Sequence, residues 1–186
     1  LRALKPGAPL VVTAPNDKGG GRLAGDLAAL GCAFTETAKR RHRTCVASGP
    51  GDAAALDAAI GAGAPRLLTD LGLWSQPGVF SWDRIDPGTA LLIDHLPALK
   101  GRGADFGCGL GALAHAVLAS PAVAELTLID IDGRAVDLAR RNVDDARARF
   151  LWADVRTTPL SGLDFIVSNP PFHDAGHETK ALGQAF

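Results

Sequence analysis

Between about residue 103 and residue 168 the sequence alternates short apolar runs with helical segments, and this alternation constrains the fold most. It predicts strands near 103–106, 124–130, 149–152 and 164–168, and helices over 111–119 and 133–147. Short buried strands separated by helices indicate a parallel sheet with right-handed crossovers. Ligands of such sheets bind beyond the carboxyl ends of the strands. We therefore predict an α/β fold with its ligand site at those ends.

The preceding part of the chain shows a similar order on a smaller scale. It predicts a strand at Leu10–Ala14, a helix over 22–30, a strand at 43–47 and a helix over 52–60 that ends at Gly61. A stretch rich in turn residues, Ser75–Gly88, separates the two α/β segments. Within it, Asp86 and Pro87 are a typical N-cap and first residue of a helix, which we expect to reach about Leu96.

Composition excludes several classes of protein. The 186 residues are 47% hydrophobic, yet no run approaches the roughly 18 apolar residues of a membrane span. The charges of the 19 basic and 20 acidic residues nearly cancel, so the net charge does not indicate a nucleic-acid partner. Three dispersed cysteines argue for a reducing compartment, here the cytoplasm, and against a disulfide framework or a zinc site. Since the chain lacks methionine even at position 1, we expect an internal piece, incomplete at both ends.

A glycine-rich loop follows the first strand of the second segment. Gly107, Gly109 and Gly111 form a GxGxG pattern, which is either a tight turn or a place where the backbone approaches a ligand. Asp130 ends the next strand, where a carboxylate can accept hydrogen bonds from ribose hydroxyls. Nucleotide oxidoreductases and methyltransferases share this arrangement. Methyl transfer is favoured because Asp105 can pair with an ammonium group and Ala114 replaces the further glycine of GxGxxG.

The motif Asn169-Pro170-Pro171-Phe172 follows the last predicted strand and discriminates best between functions. Two prolines end the strand, so the simplest alternative is a rigid loop. In the functional interpretation, the side-chain oxygen of Asn169 and the carbonyl of Pro170 accept both N–H bonds of a planar amine. Phe172 then stacks on the base, which must be flipped out or single-stranded. Asp154, after the third strand, is either a turn residue or a partner of an adenine amino group.

Residues from about 77 to 176 resemble the ribosomal RNA small subunit methyltransferase C family and its close large-subunit relative. The matching stretches are Pro77–Ser81, Asp86–Thr89 leading into Leu91-Leu92, Asp105–Gly111 and Asn169–His173. The resemblance implies a Rossmann-like class I S-adenosylmethionine methyltransferase domain over 75–186. It also implies that residues 1–74 are part of a degenerate methyltransferase-like α/β domain that binds no cofactor. The implied activity is methylation of a guanine N2 in 16S ribosomal RNA, within the small ribosomal subunit.

The resemblance also implies roles for individual residues. The implied catalytic residues are Asn169, Pro170 and Phe172. The implied S-adenosylmethionine-binding residues are Asp105, Gly107, Cys108, Gly109, Gly111, Asp130, Ile131, Asp154 and Asn169. The chain departs from the family at 173–176, where relatives often have a glycine sooner, so the shape of that loop stays open. Neither a metal nor a membrane is implied.

Several alternatives stay open. The amine could belong to a guanine of 23S ribosomal RNA, to adenine N6 or to a protein glutamine, or the domain could be a non-catalytic RNA-binding module. A nicotinamide oxidoreductase is disfavoured by the Asn-Pro-Pro-Phe motif. His173 and His177 do not match a metal motif and are expected to lie beside the target base. The basic run Lys39–Arg43 is either a solvated edge or an RNA phosphate contact. Cys108 is expected to be a small, tightly packed residue rather than a reactive thiol.

Overall fold

The computed structural model describes residues 1–49 and 51–170, and the backbone of His173–Asp174 and His177–Glu178. The chain divides into two compact units, Leu1–Ala64 and Pro65–Phe186. The predicted functional division between residues 74 and 75 remains a prediction. Among the described residues, no helix is long and apolar enough to cross a membrane.

The first unit is a small sheet with two helices. Its elements are β1 (Pro9–Pro15), a short 3-10 helix (Gly20–Arg22), α1 (Leu23–Ala29), β2 (Phe34–Lys39), β3 (His42–Ser48) and α2 (Ala53–Ala62). The strand order is β1-β3-β2, and β3 runs antiparallel to both neighbours. Its core contains Leu27, Cys32, Cys45 and Ala47. In this sheet β1 and β2 run in the same direction on either side of β3, which runs in the opposite direction.

The sequence predicted most of this unit but missed β2. That strand reads Phe-Thr-Glu-Thr-Ala-Lys, and all of it except Phe34 is exposed, so it lacks the apolar alternation that marks a half-buried strand. The helix α2 continues through Gly61 and ends at Ala62, contrary to the predicted stop at Gly61. The side chain of Asp52 caps α2 by accepting a hydrogen bond from the backbone of Ala55 at 2.7 Å, as the sequence indicated.

The second unit begins with elements that lead into the main sheet. These are the hairpin strands β4 (Arg66–Leu68) and β5 (Leu73–Ser75), followed by α3 (Pro87–Asp94). The hairpin was not predicted, and α3 ends two residues before the expected Leu96. The side chain of Asp86 caps α3 by accepting from the backbone of Gly88 and Thr89. The N-cap prediction is therefore confirmed.

The main sheet has four parallel strands. Its elements are β6 (Gly101–Phe106), α4 (Ala112–Leu118), β7 (Val123–Asp130), α5 (Gly133–Asn142), β8 (Ala148–Trp152) and β9 (Phe165–Ser168). The strand order is β8-β7-β6-β9, and every pairing is parallel, which confirms the predicted α/β sheet. The short strands β10 (His173–Asp174) and β11 (His177–Glu178) pair antiparallel beyond it.

The order of strands creates a switch point between β6 and β9. The chain proceeds outward from β6 through β7 to β8, and then returns to place β9 on the other side of β6. Phe106 pairs with Ser168, so the segments that follow β6 and β9 leave the sheet side by side. Because ligands of open α/β sheets bind at such a point, both the glycine-rich loop and Asn169 start at the expected location.

Close packing around β6 depends on a small residue. A Cβ on Gly103 would lie 2.1 Å from the ring of Phe165 on the neighbouring strand, so only glycine fits there. The core of this unit is formed mainly by leucine, valine and alanine from α4, α5 and the strands, including Leu126, Leu128, Val117 and Ala139. This core holds the carboxyl ends of the strands in fixed register.

The structure shortens the predicted helix over 133–147. Val143, although buried, is extended, with φ −111° and ψ 92°. Beyond it, Arg147 donates hydrogen bonds to the backbone carbonyls of Leu118, Ser120 and Val123 and pairs with Asp145. These bonds require the chain to leave the helix after Asn142. Ala146, within the predicted helix, is exposed, whereas Leu138 in α5 is buried.

Candidate functional site

The glycine-rich loop turns the chain sharply between β6 and α4. Gly107, Gly109 and Gly111 have φ values of 74°, 52° and 79°, which L side chains rarely adopt. The backbone N–H groups of Gly107 and Cys108 both donate to the carbonyl of Ile129, at 2.9 and 3.0 Å. A Cβ on Gly111 would also lie 3.0 Å from Val143 Cγ2. The loop is therefore fixed by its own backbone and by the close approach of α5.

Asp105 is a buried carboxyl group at the end of β6. Its side chain is 1% exposed, and among the described residues its Oδ2 atom has no hydrogen-bond partner. Burial, and secondarily the charge of Asp130, raises the pKa of Asp105 to about 7. A buried acceptor without a partner is costly, so it marks a place where a donor from outside the chain is accommodated. Asp105 borders a small cavity that such a donor could enter.

Cys108 is a buried neutral thiol. Burial raises the pKa of Cys108, and the neighbouring carboxyl groups of Asp105 and Asp130 raise it further. The side chain packs in the core beneath the loop. These surroundings are those of an inert packing residue rather than a nucleophile, as the sequence indicated.

Asp130 holds its carboxylate in a fixed orientation at the end of β7. Oδ2 accepts a hydrogen bond from the backbone of Gly109 at 2.9 Å, and Oδ1 accepts one from Asp132 at 2.8 Å. Each oxygen keeps a further lone pair, which a hydroxyl could use. Ile131, the next residue, is 64% exposed and presents an apolar surface beside it. This combination suits a sugar ring with two hydroxyl groups.

Asp154 follows β8 and forms an ion pair with Arg156. Its carboxylate accepts from Arg156 at 2.6 Å (Oδ2 to Nη2) and 2.9 Å (Oδ1 to Nε). This pairing lowers the pKa of Asp154, which therefore stays ionised and available as an acceptor. Its predicted contact with an adenine amino group remains a prediction.

Asn169 immediately follows β9 and makes two side-chain hydrogen bonds. Its Nδ2 atom donates to Asp86 Oδ2 at 2.7 Å and to Thr89 Oγ1 at 2.9 Å. Pro170, which follows, is half-buried. Phe172, the third predicted catalytic residue, lies outside the described residues.

Two cavities with shared walls lie at these strand ends. The larger, of about 330 Å³, is lined by Phe80, Gly107, Gly109, Ile129, Asp130, Ile131, Ala153, Asp154, Val155, Arg156 and Asn169. The smaller, of about 60 Å³, includes Asp105, Cys108 and the segment from Phe80 to Thr89. Phe80, Gly107, Gly109 and Asn169 border both. Of the predicted site residues that are described, Gly111 and Pro170 line neither cavity. Gly111 lies at the packed start of α4, and Pro170 follows Asn169.

The sequence did not predict that the segment leading into α3, together with the first turn of α3, contributes to the site. Phe80, Asp86 and Thr89 all border the site, and Phe80 is 66% exposed. The available signals were the apolar residues within a turn-rich loop and the N-cap of α3. Neither signal indicates which distant strand end the segment contacts.

A metal centre is not evident in the part of the chain described. There, no group of three or more His, Cys, Asp or Glu side chains is placed to hold a metal ion. The side chains of His173, Asp174, His177 and Glu178 lie outside the described residues, so the expectation about them is not tested.

Similar curated proteins from two organisms have the same name. The chain is 38% identical over 119 residues to the ribosomal RNA small subunit methyltransferase C of Shewanella loihica, covering 63% of this chain and 35% of that protein. It is 40% identical over 112 residues to the protein of that name from Photobacterium profundum, covering 59% and 33%. The chain thus spans about a third of the length of these curated relatives.

A solved structure shares the fold. The T. thermophilus 16S rRNA N2 methyltransferase in complex with AdoMet and guanosine superposes with a TM-score of 0.70 at 26% identity, covering 92% of this chain and 49% of that chain. The family model described as "Methyltransferase small domain" matches residues 70–186. That match spans more than half of the sequence, and the chain therefore belongs to the methyltransferase small domain family.

Proposed function

We propose that this chain is the catalytic part of an S-adenosylmethionine-dependent methyltransferase that modifies the exocyclic N2 amine of a guanine in 16S ribosomal RNA. The observation that carries the proposal is the orientation of Asn169, whose amide nitrogen is bound by Asp86 and Thr89 at the wall shared by the two cavities. Its oxygen is thereby left for a substrate. The named relatives and the AdoMet- and guanosine-bound neighbour support this choice.

The larger cavity and its rim fit the cofactor. Its volume of about 330 Å³ lies within the range of roughly 300–1,000 Å³ found for small-molecule sites. S-adenosylmethionine supplies an electrophilic methyl group on a positively charged sulfur. Gly107, Cys108, Gly109 and Gly111 would shape the loop around it. Asp130 would hold its ribose, Ile131 and Asp154 would border its adenine, and Asn169 would close the wall.

The unpaired carboxyl of Asp105 supports an amino-acid ligand in particular. Its buried Oδ2, which has no partner in the part of the chain that the structure describes, matches the ammonium group of the cofactor, because that group brings both a donor and a compensating charge. A pyrophosphate would instead place negative charge beside two carboxylates. This argument disfavours a nicotinamide dinucleotide at the same position.

The acceptor side positions the amine rather than deprotonating it. Asn169 Oδ1 and the Pro170 carbonyl would accept the two N–H bonds, which directs the nitrogen lone pair out of the plane of the base. Such positioning can lower a barrier by about 7–11 kcal/mol at best. The same oxygens stabilise the positive charge that develops on nitrogen, and the charged product loses its proton readily to water. Phe172 would stack on the guanine.

The substrate class implies the partner and the compartment. Ribosomal RNA, within the small subunit, would be the partner, and this substrate places the protein in the cytoplasm. A planar amine in 23S RNA, an adenine N6 or a protein glutamine would satisfy the same acceptors. A methylation assay on isolated RNA, assembled small and large subunits and a protein release factor separates these, since transfer only to the factor would contradict the proposal.

The acceptor role is tested by Asn169→Ala. Loss of the amide should lower methyl transfer from labelled S-adenosylmethionine to small subunits by about 100-fold or more, as when one preorganised group at a reacting centre is removed. Cofactor affinity, measured by calorimetry, should stay within a factor of a few. Ser168→Ala is the matched control, since Ser168 Oγ donates to the Phe106 carbonyl at 2.8 Å, within the sheet. Equal turnover in wild type and Asn169→Ala would refute the role, and absence of cofactor binding in wild type would favour a non-catalytic RNA-binding module.

A further inference from the structure

The Asp86 carboxylate serves two segments that are far apart in sequence. Its Oδ2 atom accepts from the backbone of Gly88 at 2.8 Å and of Thr89 at 3.1 Å, which caps α3. The same oxygen accepts from Nδ2 of Asn169 at 2.7 Å. Thr89 adds its hydroxyl as a second acceptor for that nitrogen, at 2.9 Å. We call this arrangement of Asp86, Thr89 and the Asn169 amide the amide clamp.

The clamp fixes which end of the Asn169 amide faces the cavities. A carboxylate can only accept hydrogen bonds, so the atom of Asn169 that lies against Asp86 must be the nitrogen. Its two hydrogens are then directed to Asp86 and Thr89, and Oδ1 has no partner within the described part of the chain. Rotating the amide by 180° would place two acceptors in contact. Since hydrogen bonds to charged groups are the stronger ones, the observed orientation is favoured by about tenfold or more.

Gly88 provides the space for this contact. A Cβ at that position would lie 3.0 Å from Asn169 Oδ1 and 3.0 Å from Asp86 Oδ2. Both distances are tighter than most real Cβ contacts, so a larger residue would push the amide away from the carboxylate. The stretch Asp86–Thr89 therefore begins α3 and also binds the side chain of Asn169, which follows β9.

The clamp also changes the amide electronically. A carboxylate that accepts from Nδ2 polarises the amide and increases the negative charge on Oδ1, because hydrogen bonds in series strengthen one another. A more negative Oδ1 is a better acceptor for an amine that becomes positively charged. The clamp thus affects both the direction and the strength of the acceptor.

We propose that Asp86 and Thr89 are positioning residues for methyl transfer, holding the Asn169 amide so that Oδ1 faces the amine of the substrate. This inference rests on the proposed function, in which Asn169 receives the amine. Asp86 and Thr89 act through Asn169, and we assign them no contact with the amine itself. Their removal should therefore lower the turnover number more than it weakens binding of cofactor or RNA.

Four substitutions in the full chain test the clamp through turnover. Asp86→Ala removes the acceptor and should lower kcat by about 10- to 100-fold, with KM for RNA and the calorimetric Kd for S-adenosylmethionine changed by less than about threefold. Asp86→Asn should recover only part of the lost activity, because asparagine is a good N-cap but is uncharged and can donate as well as accept, so it orients the Asn169 amide less firmly. Thr89→Val should lower kcat by about three- to tenfold, and Thr89→Ser should restore it.

A capping control and a direct readout separate positioning from folding. Asp52→Ala removes the comparable cap of α2 and should lower thermal stability without lowering kcat. The side-chain amide protons of Asn169, observed by NMR, should lose their exchange protection and downfield shift in Asp86→Ala. Unchanged amide signals or unchanged kcat in soluble, folded Asp86→Ala and Thr89→Val would overturn the inference.

The outcome for Asn169 distinguishes this inference from the proposed function. If Asn169→Ala keeps full activity, the acceptor role fails, whereas the NMR signals still show whether the clamp orients the amide. If Asn169→Ala is inactive and the clamp variants are fully active, the proposed function stands and the positioning role of Asp86 and Thr89 is wrong.

Discussion

At the scale of single residues, Asp105 links the chemistry of the site to pH. The buried carboxyl has a pKa of about 7, against 3.8 for an exposed aspartate, with burial as the main cause. It is therefore largely protonated at pH 6 in the free protein. An ammonium group beside Asp105 would favour the ionised form and lower the pKa of this carboxyl, so that the proton is released.

We predict that binding of S-adenosylmethionine releases close to one proton at pH 6 and almost none at pH 8. The free protein carries the Asp105 proton at the lower pH, and the complex does not carry it at either. Calorimetry in buffers of different ionisation enthalpy measures the number of protons released. The same release at both pH values, or none at pH 6, would contradict the pairing of Asp105 with the ammonium.

Asp105→Asn is the control for this linkage. Because the folded chain binds the proton more tightly than the unfolded chain, the stabilising contribution of Asp105 is full below its unfolded pKa. It is lost as the pH rises through about 7, at a total cost of up to about 4 kcal/mol, from 1.36 kcal/mol per pKa unit. Asp105→Asn cannot ionise, so its stability should vary less between pH 5 and pH 8. Its affinity for the cofactor should fall at both.

At the scale of elements, the turn between β2 and β3 adopts an unfavourable conformation for its residues. Lys39 pairs with His42, so Arg40 and Arg41 form a two-residue loop, and their φ values are 50° and 61°. Positive φ at both central positions is the requirement of a type I′ turn, which favours Asn-Gly. Two arginines therefore occupy positions that cost about 1–2 kcal/mol each for ordinary L residues.

We predict that the double substitution Arg40→Asn with Arg41→Gly raises the free energy of unfolding by about 1 kcal/mol, part of the relief being offset by the greater freedom of glycine in the unfolded chain. Urea denaturation measures the change. Arg40→Gln with Arg41→Gln removes the same charges without relieving the backbone and should show no comparable gain. If the arginines contact RNA phosphates, both double variants should show a weaker salt dependence of RNA binding.

The sequence predicts elements well where local pattern and burial agree. The strands β6, β7 and β8 are apolar runs joined by helices, and β9 is a further apolar run after β8, so their parallel order and the site at their carboxyl ends follow from general rules of topology. The strand β2 is exposed and polar, and no local pattern distinguishes it from a loop. The end of α5 depends on Arg147, whose carbonyl partners lie more than twenty residues away.

The site divides in the same way. Asp105, Asp130 and Asn169 lie at strand ends, where position along the chain predicts position in space. Asp86 and Thr89, the partners of Asn169, precede it in the sequence by 83 and 80 residues. Pairings over such separations form only in the folded chain. Asn142 is similar, since its side chain bonds the backbone of Trp74 and the carbonyl of Leu110. A distant partner leaves no local signal.

At the scale of the whole molecule, every described residue assigned to the cofactor lies in the unit Pro65–Phe186. We predict that S-adenosylmethionine at 100 times its Kd raises the opening free energy of that unit by up to about 2.7 kcal/mol, because a ligand stabilises the state that it binds. Hydrogen exchange of backbone amides should then slow from β6 through β9 and in the glycine-rich loop. The amides of Leu1–Ala64 should exchange at the same rate with and without cofactor, as expected for a degenerate domain that binds none. Sinefungin, which also carries the ammonium, is a suitable non-reactive control ligand. Slowed exchange in β1, β2 or β3 would show that cofactor binding reaches the first unit and would contradict the assignment of the site to one unit alone.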